Sequence, residues 1–271
     1  MGLVFVMSVD LSVVIPCFNS ATTIERALDS IAQQTLLPKD IFVIDNASTD
    51  GTGEIVEKFI QMHPQIKVCL TQLETNRGPS AARNLGWDQS EASLIAFLDA
   101  DDSWHPSKLE LQCAVVEAHP DQQLFGHTYQ VISPPQQPPM VAPGTSRVRY
   151  FTLRHFLIRN RVSTPTVIVR REISFRFPSE MWFAEDFALW TQIVSSGTRA
   201  VVLDRALTYL HKAAYGSSGL SSQLRAMHAG EISVVNQLRT QRAISGTEYI
   251  VAKTWMNGKY LRRVAKGRSH E

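Results

Sequence analysis

The sequence predicts an α/β protein in which helices flank a mainly parallel central sheet, with further helices toward the C-terminus. Short apolar runs alternate with segments of helical periodicity about four times before residue 120, as in parallel strands joined by helices. The apolar runs are continuous, which is typical of strands buried on both faces. Polar residues follow directly after these runs, and ligands of such sheets bind beyond the carboxyl ends of the strands.

The first half of the chain contains the clearer pattern. The predicted strands are 11–16, 41–44, 66–70 and 94–98. Helical periodicity follows at 22–31, 55–62, 77–90 and from 107 onward. Two of these helices begin with a capping-box pattern, Thr22 with Glu25 and Ser107 with Glu110, so we expect reciprocal side-chain caps at both positions.

The second half is less regular. Five prolines in residues 133–144 predict a loop, because proline cannot donate to a strand ladder or continue a helix. The segments beyond it are predicted as a helix at 150–159, a strand at 166–169, an amphipathic helix at 182–194, strands at 201–203 and 206–210, a loop at 211–222, and helices to about residue 265. We therefore expect one domain over 1–215 and a helical extension over 216–271.

The composition excludes several classes of protein. The chain has 271 residues, 27 basic against 25 acidic, and a net charge of +2, so bulk charge gives no reason to expect a nucleic-acid partner. Its three cysteines are far apart and odd in number, which indicates reduced thiols and a cytoplasmic location. No apolar run reaches the roughly 18 residues that a membrane span requires. The apolar start of the chain has no preceding basic region, so we do not expect a signal peptide.

Three aspartates stand at the end of the fourth predicted strand, in the stretch FLDADD. A hard divalent cation such as Mg²⁺ or Mn²⁺ prefers oxygen ligands, usually one or two carboxylates together with substrate phosphates. Asp99, Asp101 and Asp102 therefore predict a metal-diphosphate site. The alternative is an ordinary solvated turn in which Asp102 caps the next helix.

Two more polar stretches follow strands or precede helices. Residues 45–51, DNASTDG, consist of turn formers and, taken alone, indicate a plain turn. Arg77 and Arg83 stand near the start of a predicted helix, where guanidinium groups and backbone amides both favour phosphate or carboxylate. The alternative for these arginines is a surface helix with salt bridges.

These stretches together resemble family 2 glycosyltransferases, which have the GT-A fold. The resemblance rests on SVVIPCFN at 12–19, VIDNASTDGT at 43–52, NRGPSAARNLG at 76–86 and FLDADD at 97–102, in the order and spacing of that family. It continues through TVIVRREI at 166–173 and EDFALWTQIV at 185–194, so it covers about residues 11–210. It implies a nucleotide-binding half at about 8–103 and an acceptor half at about 104–215.

The resemblance also implies the roles of individual residues. It assigns Asp101 to a Mn²⁺ or Mg²⁺ that bridges the donor diphosphate, and Asp186, in preference to its neighbour Glu185, to the catalytic base. The residues that it assigns to the nucleotide and donor sugar are Pro16, Asn19, Asp45, Ser48, Asp50, Arg77, Arg83, Asp99 and Asp102.

The expected reaction is inverting transfer of one sugar from a nucleotide-diphosphate donor, by default a UDP-sugar. The acceptor is a hydroxyl of a glycan or lipid-linked sugar in bacterial cell-surface polysaccharide synthesis. A carboxylate takes the acceptor proton while a metal stabilises the departing diphosphate. No Arg-Trp pair occurs in the chain, so the processive QxxRW motif is absent and we expect single additions. The alternatives are a nucleotide-sugar-binding protein without turnover, or a sugar nucleotidyltransferase, whose glycine-rich loop with an activating lysine is missing after the first strand.

Four further features have competing interpretations. Trp104 and Trp182 are candidates for stacking on a sugar, with core packing as the alternative. His211 stands in a region where the family closes a loop over the donor, but a plain loop histidine is favoured. Residues 253–268 interleave basic and aromatic side chains, which is compatible with peripheral contact to an anionic membrane or with a solvated terminal helix.

Overall fold

The structure, a computed structural model, describes residues 8–133, 137–211 and 223–267. Its strands are β1 (Ser8–Cys17), β2 (Leu37–Asp45), β3 (Val68–Gln72), β4 (Leu94–Phe97), β5 (Asp102–Trp104), β6 (Leu124–Val131), β7 (Gly144–Phe151), β8 (Ile168–Arg170) and β9 (Ala200–Leu210). Its helices are α1 (Ile24–Ala32), α2 (Thr52–Met62), α3 (Gly78–Gln89), α4 (Lys108–Glu117), α5 (Leu153–Ile158), α6 (Glu185–Ser195), α7 (Leu224–Thr240) and α8 (Gly246–Gly267).

The strands of the described part of the chain form one sheet in the order β3-β2-β1-β4-β8-β6-β9-β5, with β7 paired to β9. The strands β3, β2, β1 and β4 are all parallel, so their carboxyl ends meet at one edge. The register pairs Cys17 with Asp45, which brings the loops after β1 and β2 side by side. The predicted α/β class is confirmed.

Both faces of the sheet are covered, which explains the continuous apolar runs. Along β1, Val13 and Ile15 enter one core together with α1, α2 and α4, while Val14 enters the other core with α3 and α6. Since successive side chains of a strand point to opposite faces, a strand between two helical layers must be apolar at every position.

The half of the sheet beyond β4 is mixed. Strand β8 pairs antiparallel with both β4 and β6, whereas β6 and β9 are parallel. The sequence did not predict β5, β6 or β7, and it divided β9 into two strands. Asp204 and Arg205 interrupt the apolar pattern of β9, and the ladders with β6 and β7 both shift register there. The strand continues because Leu203 and Ala206 pair with β6 on either side of this irregularity. Most of β7 is exposed, so it has no apolar pattern to detect.

The two predicted capping boxes do not form. Helix α1 begins one residue later than predicted, after Thr23, and no side chain caps it. At α4, Ser107 Oγ lies 2.8 Å from His105 Nδ1, and Glu110 accepts a hydrogen bond from Thr35. A partner two residues away for Ser107 and a distant partner for Glu110 thus replace the capping box. A capping box does form at α5, between Thr152 and His155.

The predicted C-terminal helices are confirmed as α7 and α8, which pack on each other and on α6 and α5. Val235 of α7 and Met256 of α8 are buried in the same core as α3 and α6. Both helices therefore contribute side chains to this core. No helix of the described residues is long and apolar enough to cross a membrane. The predicted boundary at 215/216, most of the loop at 211–222, and the last basic residue of the C-terminal segment lie outside the described residues.

Candidate active site

The loops after β1 and β2 are joined by reciprocal hydrogen bonds. The amide of Asn19 donates to Ser48 Oγ at 2.9 Å, and the amide of Thr49 donates to Asn19 Oδ1 at 3.0 Å. Buried Asp45 accepts from the amide of Ser48 at 3.0 Å, and Pro16 lies on β1 next to Ile44. The predicted nucleotide residues of these two loops are therefore in contact, as expected for neighbouring parallel strands.

Backbone strain is concentrated in this region. Among the described residues, non-glycine positions with positive φ are Asn19, Ala47, Ala184 and Arg242, and the first three flank predicted site residues. Such conformations cost on the order of 1–3 kcal/mol and persist where the surrounding structure requires them. Asp50 stabilises the same loops, since its carboxylate accepts from the amides of Ala21 and Thr52. The hydrogen bond from the Thr52 hydroxyl lowers the pKa of Asp50.

A third loop is attached through two asparagines that the sequence did not assign to the site. Buried Asn46 accepts from the amide of Arg77 at 2.9 Å and donates to Asn76 at 2.8 Å. The side chain of Arg77 itself is exposed. Gly78 follows with φ of 83°, where a side chain would be strained, and the ring of half-exposed Trp182 lies against it. Trp182 therefore remains a candidate for stacking on a sugar.

The three aspartates after β4 form one cluster. Each of Asp99, Asp101 and Asp102 offers a carboxylate oxygen, and these oxygens lie within 4.8 Å of one another. This oxygen donor set fits a hard divalent cation. Asp102 is fully buried and begins β5, so the alternative of a solvated turn with Asp102 as a helix cap is wrong. His211 borders the cluster, with its Nε2 2.7 Å from Ser103 Oγ.

Arg83 connects this cluster to the second half of the chain. Its guanidinium is 2.8 Å from Asp99 and 3.0 Å from Glu185, and the residue is only 6% exposed. Burial by itself lowers the pKa of this group, but the two carboxylates raise it above its usual value. Arg83 is therefore a fixed cation between two predicted site residues. Salt bridges were the alternative that the sequence offered for this arginine, but on a surface helix, whereas Arg83 is buried and its partners come from two distant segments.

Asp186 stands beside Glu185 in the first turn of α6 but has a different environment. Its Oδ2 accepts a hydrogen bond from Asn160 at 3.0 Å. Burial, together with the neighbouring charge of Glu185, raises the pKa of Asp186 to about 7. A carboxylate with a pKa near neutrality suits proton transfer, whereas Glu185 is held by Arg83. Asn160 was missed in the sequence because no local pattern relates it to α6.

Asp186 lines a pocket of about 560 Å³. The pocket is enclosed by β6, β7, the segment after α5, the start of α6, and helices α7 and α8. Its cationic lining residues are Arg149, Arg159, Arg161, Lys259 and Arg263. None of these was predicted as a site residue, since they come from distant parts of the sequence.

Trp104 does not stack on a sugar. It is 3% exposed, its indole nitrogen donates to the carbonyl of Pro165 at 2.8 Å, and the ammonium of Lys108 lies 3.6 Å from the ring centroid. The indole is enclosed because β5 joins the sheet next to β9. Trp190 of α6 is also fully buried and belongs to the core on that face of the sheet.

Comparison of the sequence with known proteins identifies the family. The family model described as Glycosyl transferase family 2 matches residues 12–173. Glycosyltransferase AglE of Haloferax volcanii is 38% identical over 102 residues, which are 36% of this chain and 33% of AglE. Poly(ribitol-phosphate) beta-N-acetylglucosaminyltransferase TarS of Staphylococcus aureus is 30% identical over 217 residues, which are 74% of this chain and 35% of TarS. The chain thus spans about a third of the length of each relative.

Solved structures agree with the family match. The crystal structure of S. aureus TarS 1-349 in complex with UDP-GlcNAc has a TM-score of 0.65 and 24% identity, covering 84% of this chain and 66% of that chain. Mannosyltransferase PcManGT from Pyrobaculum calidifontis, in complex with GDP-Man and Mn²⁺, has a TM-score of 0.66 and 17% identity, covering 96% of this chain and 79% of that chain. Because the family match covers more than half of its residues and its neighbours share its architecture, the chain belongs to glycosyl transferase family 2 and has the GT-A fold.

Proposed function

We propose that this glycosyltransferase moves one sugar from a nucleotide-diphosphate donor to an acceptor hydroxyl, with inversion at the anomeric carbon and assistance from a divalent metal. The observation that supports this most directly is the position of Arg83. It contacts Asp99 of the acidic cluster on one side and Glu185, the neighbour of Asp186, on the other. A donor held at the cluster would therefore stand close to a carboxylate that can accept a proton.

The chain's own residues would act in sequence. The joined loops that contain Asn19, Asp45 and Ser48 would hold the nucleotide, and the cluster of Asp99, Asp101 and Asp102 would hold Mn²⁺ or Mg²⁺, with Asp101 as the principal ligand. When bound, such a cation neutralises the charge that develops on the departing diphosphate. Asp186 would accept the proton of the attacking hydroxyl. One displacement with one base inverts the configuration.

Asp186 is the better base for a physical reason. A general base works best when its pKa is near the operating pH, and burial raises the pKa of Asp186 to about 7. Asn160 orients the carboxylate through Oδ2. Glu185 accepts a hydrogen bond from Arg83 at 3.0 Å, so its Oε1 is already engaged and it would act as a positioning group for Arg83.

A UDP-sugar is the donor that we propose, because TarS, a relative 30% identical over most of this chain, has been crystallised with UDP and with UDP-GlcNAc. The acceptor would be a glycan or a lipid-linked sugar of a bacterial surface polymer, extended by single additions. We place the enzyme in the cytoplasm, where reducing conditions keep cysteines as free thiols, because its three cysteines form no disulfide. Peripheral membrane contact through α8 is proposed from its exposed Trp255 and Leu261 beside basic residues.

We also propose which parts of the chain bind the donor and which bind the acceptor. We assign residues 8–103 to the donor nucleotide and 104–215 to the acceptor, within a transferase domain of residues 1–215. Helices α7 and α8 would add to the acceptor side, since both line the pocket at Asp186. His211, which borders the acidic cluster through Ser103, would approach the donor phosphates.

The test is thermal melting of the protein against UDP, GDP, CMP and dTDP, each with Mn²⁺ and with EDTA. A ligand at 100 times its dissociation constant adds about 2.7 kcal/mol of stability, so one nucleotide should raise the melting temperature in a metal-dependent manner. The Asp101→Asn variant should lose that shift, whereas Asp121→Asn, a change at an exposed carboxylate elsewhere, should keep it.

The alternatives predict other results. Nucleotide binding without release of UDP from any UDP-sugar, in the presence or absence of sugar acceptors, would favour a binding protein without turnover. Formation of a nucleotide sugar from UTP and a sugar 1-phosphate would favour a nucleotidyltransferase. No shift with any nucleotide would overturn the proposed donor site.

A further inference from the structure

The pocket next to Asp186 is rich in cationic side chains. Among the described residues that line it, five are cationic and three are carboxylates. Two of the carboxylates are engaged by cations of the same pocket. Asp204 lies 2.9 Å from Arg149, and Glu231 lies 3.8 Å from Lys259. The third carboxylate is Asp186 itself.

Two arginines of the pocket are not balanced in this way. In the described part of the chain, neither Arg159 nor Arg161 forms an ion pair with a carboxylate. Arg161 is held in place, since its Nε donates to the carbonyl of His155 at 3.2 Å and its guanidinium lies 5.0 Å from the centre of the Phe151 ring. The hydrogen bond uses only Nε, so the two terminal nitrogens remain for a ligand.

The cations of the pocket are close enough to repel one another. Burial, and then the charge of Arg159, lowers the pKa of Arg161. Burial also lowers the pKa of Lys259, and although Glu231 opposes this, Arg263 and Arg159 add to it. Like charges gathered without full compensation are costly, and an anion that enters relieves that cost. The neighbouring His127 is buried and neutral, because burial lowers its pKa to about 3.

We propose that this pocket is the acceptor subsite and that it binds an acceptor carrying phosphate. The inference rests on the proposed glycosyl transfer, since it uses Asp186 as the base at the rim of the same pocket. Arg159 and Arg161 flank Asn160, which holds Asp186 at 3.0 Å. A phosphate bound between these arginines would therefore fix the acceptor beside the carboxylate that takes its proton.

Phosphate fits this lining better than other acceptor chemistry does. Because Arg149 and Lys259 are already paired with Asp204 and Glu231, the two positive charges that face a ligand are those of Arg159 and Arg161, and a phosphomonoester or a diphosphate carries about two negative charges. The planar guanidinium group matches two oxygens of a phosphate with two parallel hydrogen bonds. A neutral sugar would leave the cations uncompensated, and a carboxylate would supply only one charge.

The test uses three probes with the same three-carbon skeleton: glycerol 3-phosphate, glycerate and glycerol. Each is titrated into protein loaded with UDP and Mg²⁺, which occupy the donor side, and the backbone amides of Asn160 and Phe187 are followed by two-dimensional NMR. We expect glycerol 3-phosphate to bind at least about tenfold more tightly than glycerate. The reason is that two negative charges are attracted to the arginines of the pocket more strongly than one. Glycerol should cause no shift.

Variants of Arg159 test whether the phosphate binds at this arginine. The side chain is exposed at the pocket mouth, so the fold should tolerate its replacement. Arg159→Glu should abolish phosphate binding, and Arg159→Lys, which keeps the charge, should retain most of it. Arg199→Glu makes the same charge change at an exposed position outside the pocket and should leave the affinity within about twofold of the parent protein.

The results separate this proposal from the proposed function. Equal affinity for glycerate would overturn phosphate selectivity, and unchanged binding in Arg159→Glu would overturn the site. The titration is repeated without UDP, so the pocket is tested even if the donor does not bind. If the parent protein does not bind UDP, the proposed donor site is wrong. If it binds UDP but glycerol 3-phosphate does not shift the Asn160 amide, only the proposed acceptor pocket is wrong.

Discussion

The donor side and the acceptor pocket are built in different ways. On the donor side, the loops after β1 and β2 come from adjacent parallel strands, and short hydrogen bonds between Asn19, Ser48 and Thr49 join them. The acceptor pocket draws its lining from β6 through α8, across more than 130 residues of sequence. Parallel topology is sufficient to gather the first site. The second exists only once α7 and α8 pack against α6 and α5.

The two regions also differ in charge. The donor side ends in a cluster of three carboxylates, whereas the pocket has an excess of cations. Arg83 and Glu185 form the boundary between them, at 3.0 Å. A metal-bound diphosphate suits the first environment, and an anionic acceptor suits the second. In the proposed reaction, these opposite charges would place the donor diphosphate and the acceptor phosphate on different sides of Asp186.

The largest expected effect is on proton transfer at the boundary. Replacing Asp186 by Asn should lower the transfer rate by about 10²- to 10⁴-fold, because the base is removed while the shape is retained. UDP affinity should not change, since Asp186 lies on the acceptor side. Glu180→Gln, at an exposed position before α6, is the matched control and should retain full rate. Full activity in Asp186→Asn would contradict the base assignment.

The stability of the same variant serves as its folding control. The folded-state pKa of Asp186, about 7, is higher than the ordinary value of 3.8, so the folded protein binds a proton more tightly than the unfolded chain. The stability contribution from this carboxyl is therefore present below pH 4 and is lost as the pH rises through 7. Asp186→Asn should lack this loss, which denaturant unfolding at pH 4.5 and pH 8 would detect.

The ion pairs of Arg83 should account for the next largest effect. Arg83→Gln leaves Asp99 and Glu185 without their shared cation, and breaking a buried pair in this way costs about 3–5 kcal/mol. Arg154→Gln, which breaks an ion pair whose arginine is 82% exposed, should cost less than about 1 kcal/mol. Urea unfolding of both variants measures the difference. Equal losses would mean that Arg83 does not join the two regions energetically.

A smaller effect is expected from the residue that orients the base. Asn160→Ala removes a hydrogen bond that favours the ionised form of Asp186, so the pKa of Asp186 should rise further. Glu185 also raises it, whereas Arg83 lowers it, and neither is changed by the substitution. The rising limb of the pH-rate profile should move to higher pH, with the rate recovering in alkaline buffer. An unchanged profile, like that expected for the exposed Asn257→Ala, would remove Asn160 from this role.

The smallest effect is expected on the donor side, where the loops are joined by several bonds. Ser48→Ala removes one acceptor for the amide of Asn19, and one neutral hydrogen bond contributes about 1 kcal/mol. UDP affinity should fall about fivefold with no change in the rate at saturating donor. Ser146→Ala, an exposed change on β7, is the control. A loss of more than about a hundredfold would mean that Ser48 contacts the nucleotide directly.

Much of the donor side could be predicted from the sequence. The strands β1 to β4 have continuous apolar runs, and the polar residues after them lie where parallel strand ends meet. The clustering of Asp99, Asp101 and Asp102 follows from three aspartates within four positions. The direct contact of Arg83 with Glu185 could not be predicted from the sequence, because two residues so far apart in the chain leave no local pattern.

Strands β5, β6 and β7 and the course of β9 also depended on tertiary pairing. Asp204 is polar and would end a strand by local preference, but the pairing of Leu203 and Ala206 with β6 on either side of it continues the strand through a register irregularity. Thr22 and Ser107 likewise have the sequence of helix caps. In the structure, however, no side chain caps α1, and the hydroxyl of Ser107 is hydrogen-bonded to His105 instead. Local propensities are worth about 1 kcal/mol, and tertiary partners outweigh them.

The sequence by itself determined the α/β class, the four strands of the first half, and the polar residues that follow them. These depend on periodicity and on chemistry at strand ends, which are local properties of the chain. Only the tertiary structure decided which acidic residue of the Glu185–Asp186 pair lines the pocket, and that Arg159, Arg161 and Lys259 surround it. The reason is physical: a pKa and an electrostatic field depend on distances in space, and those distances are set by packing between segments that are far apart in sequence.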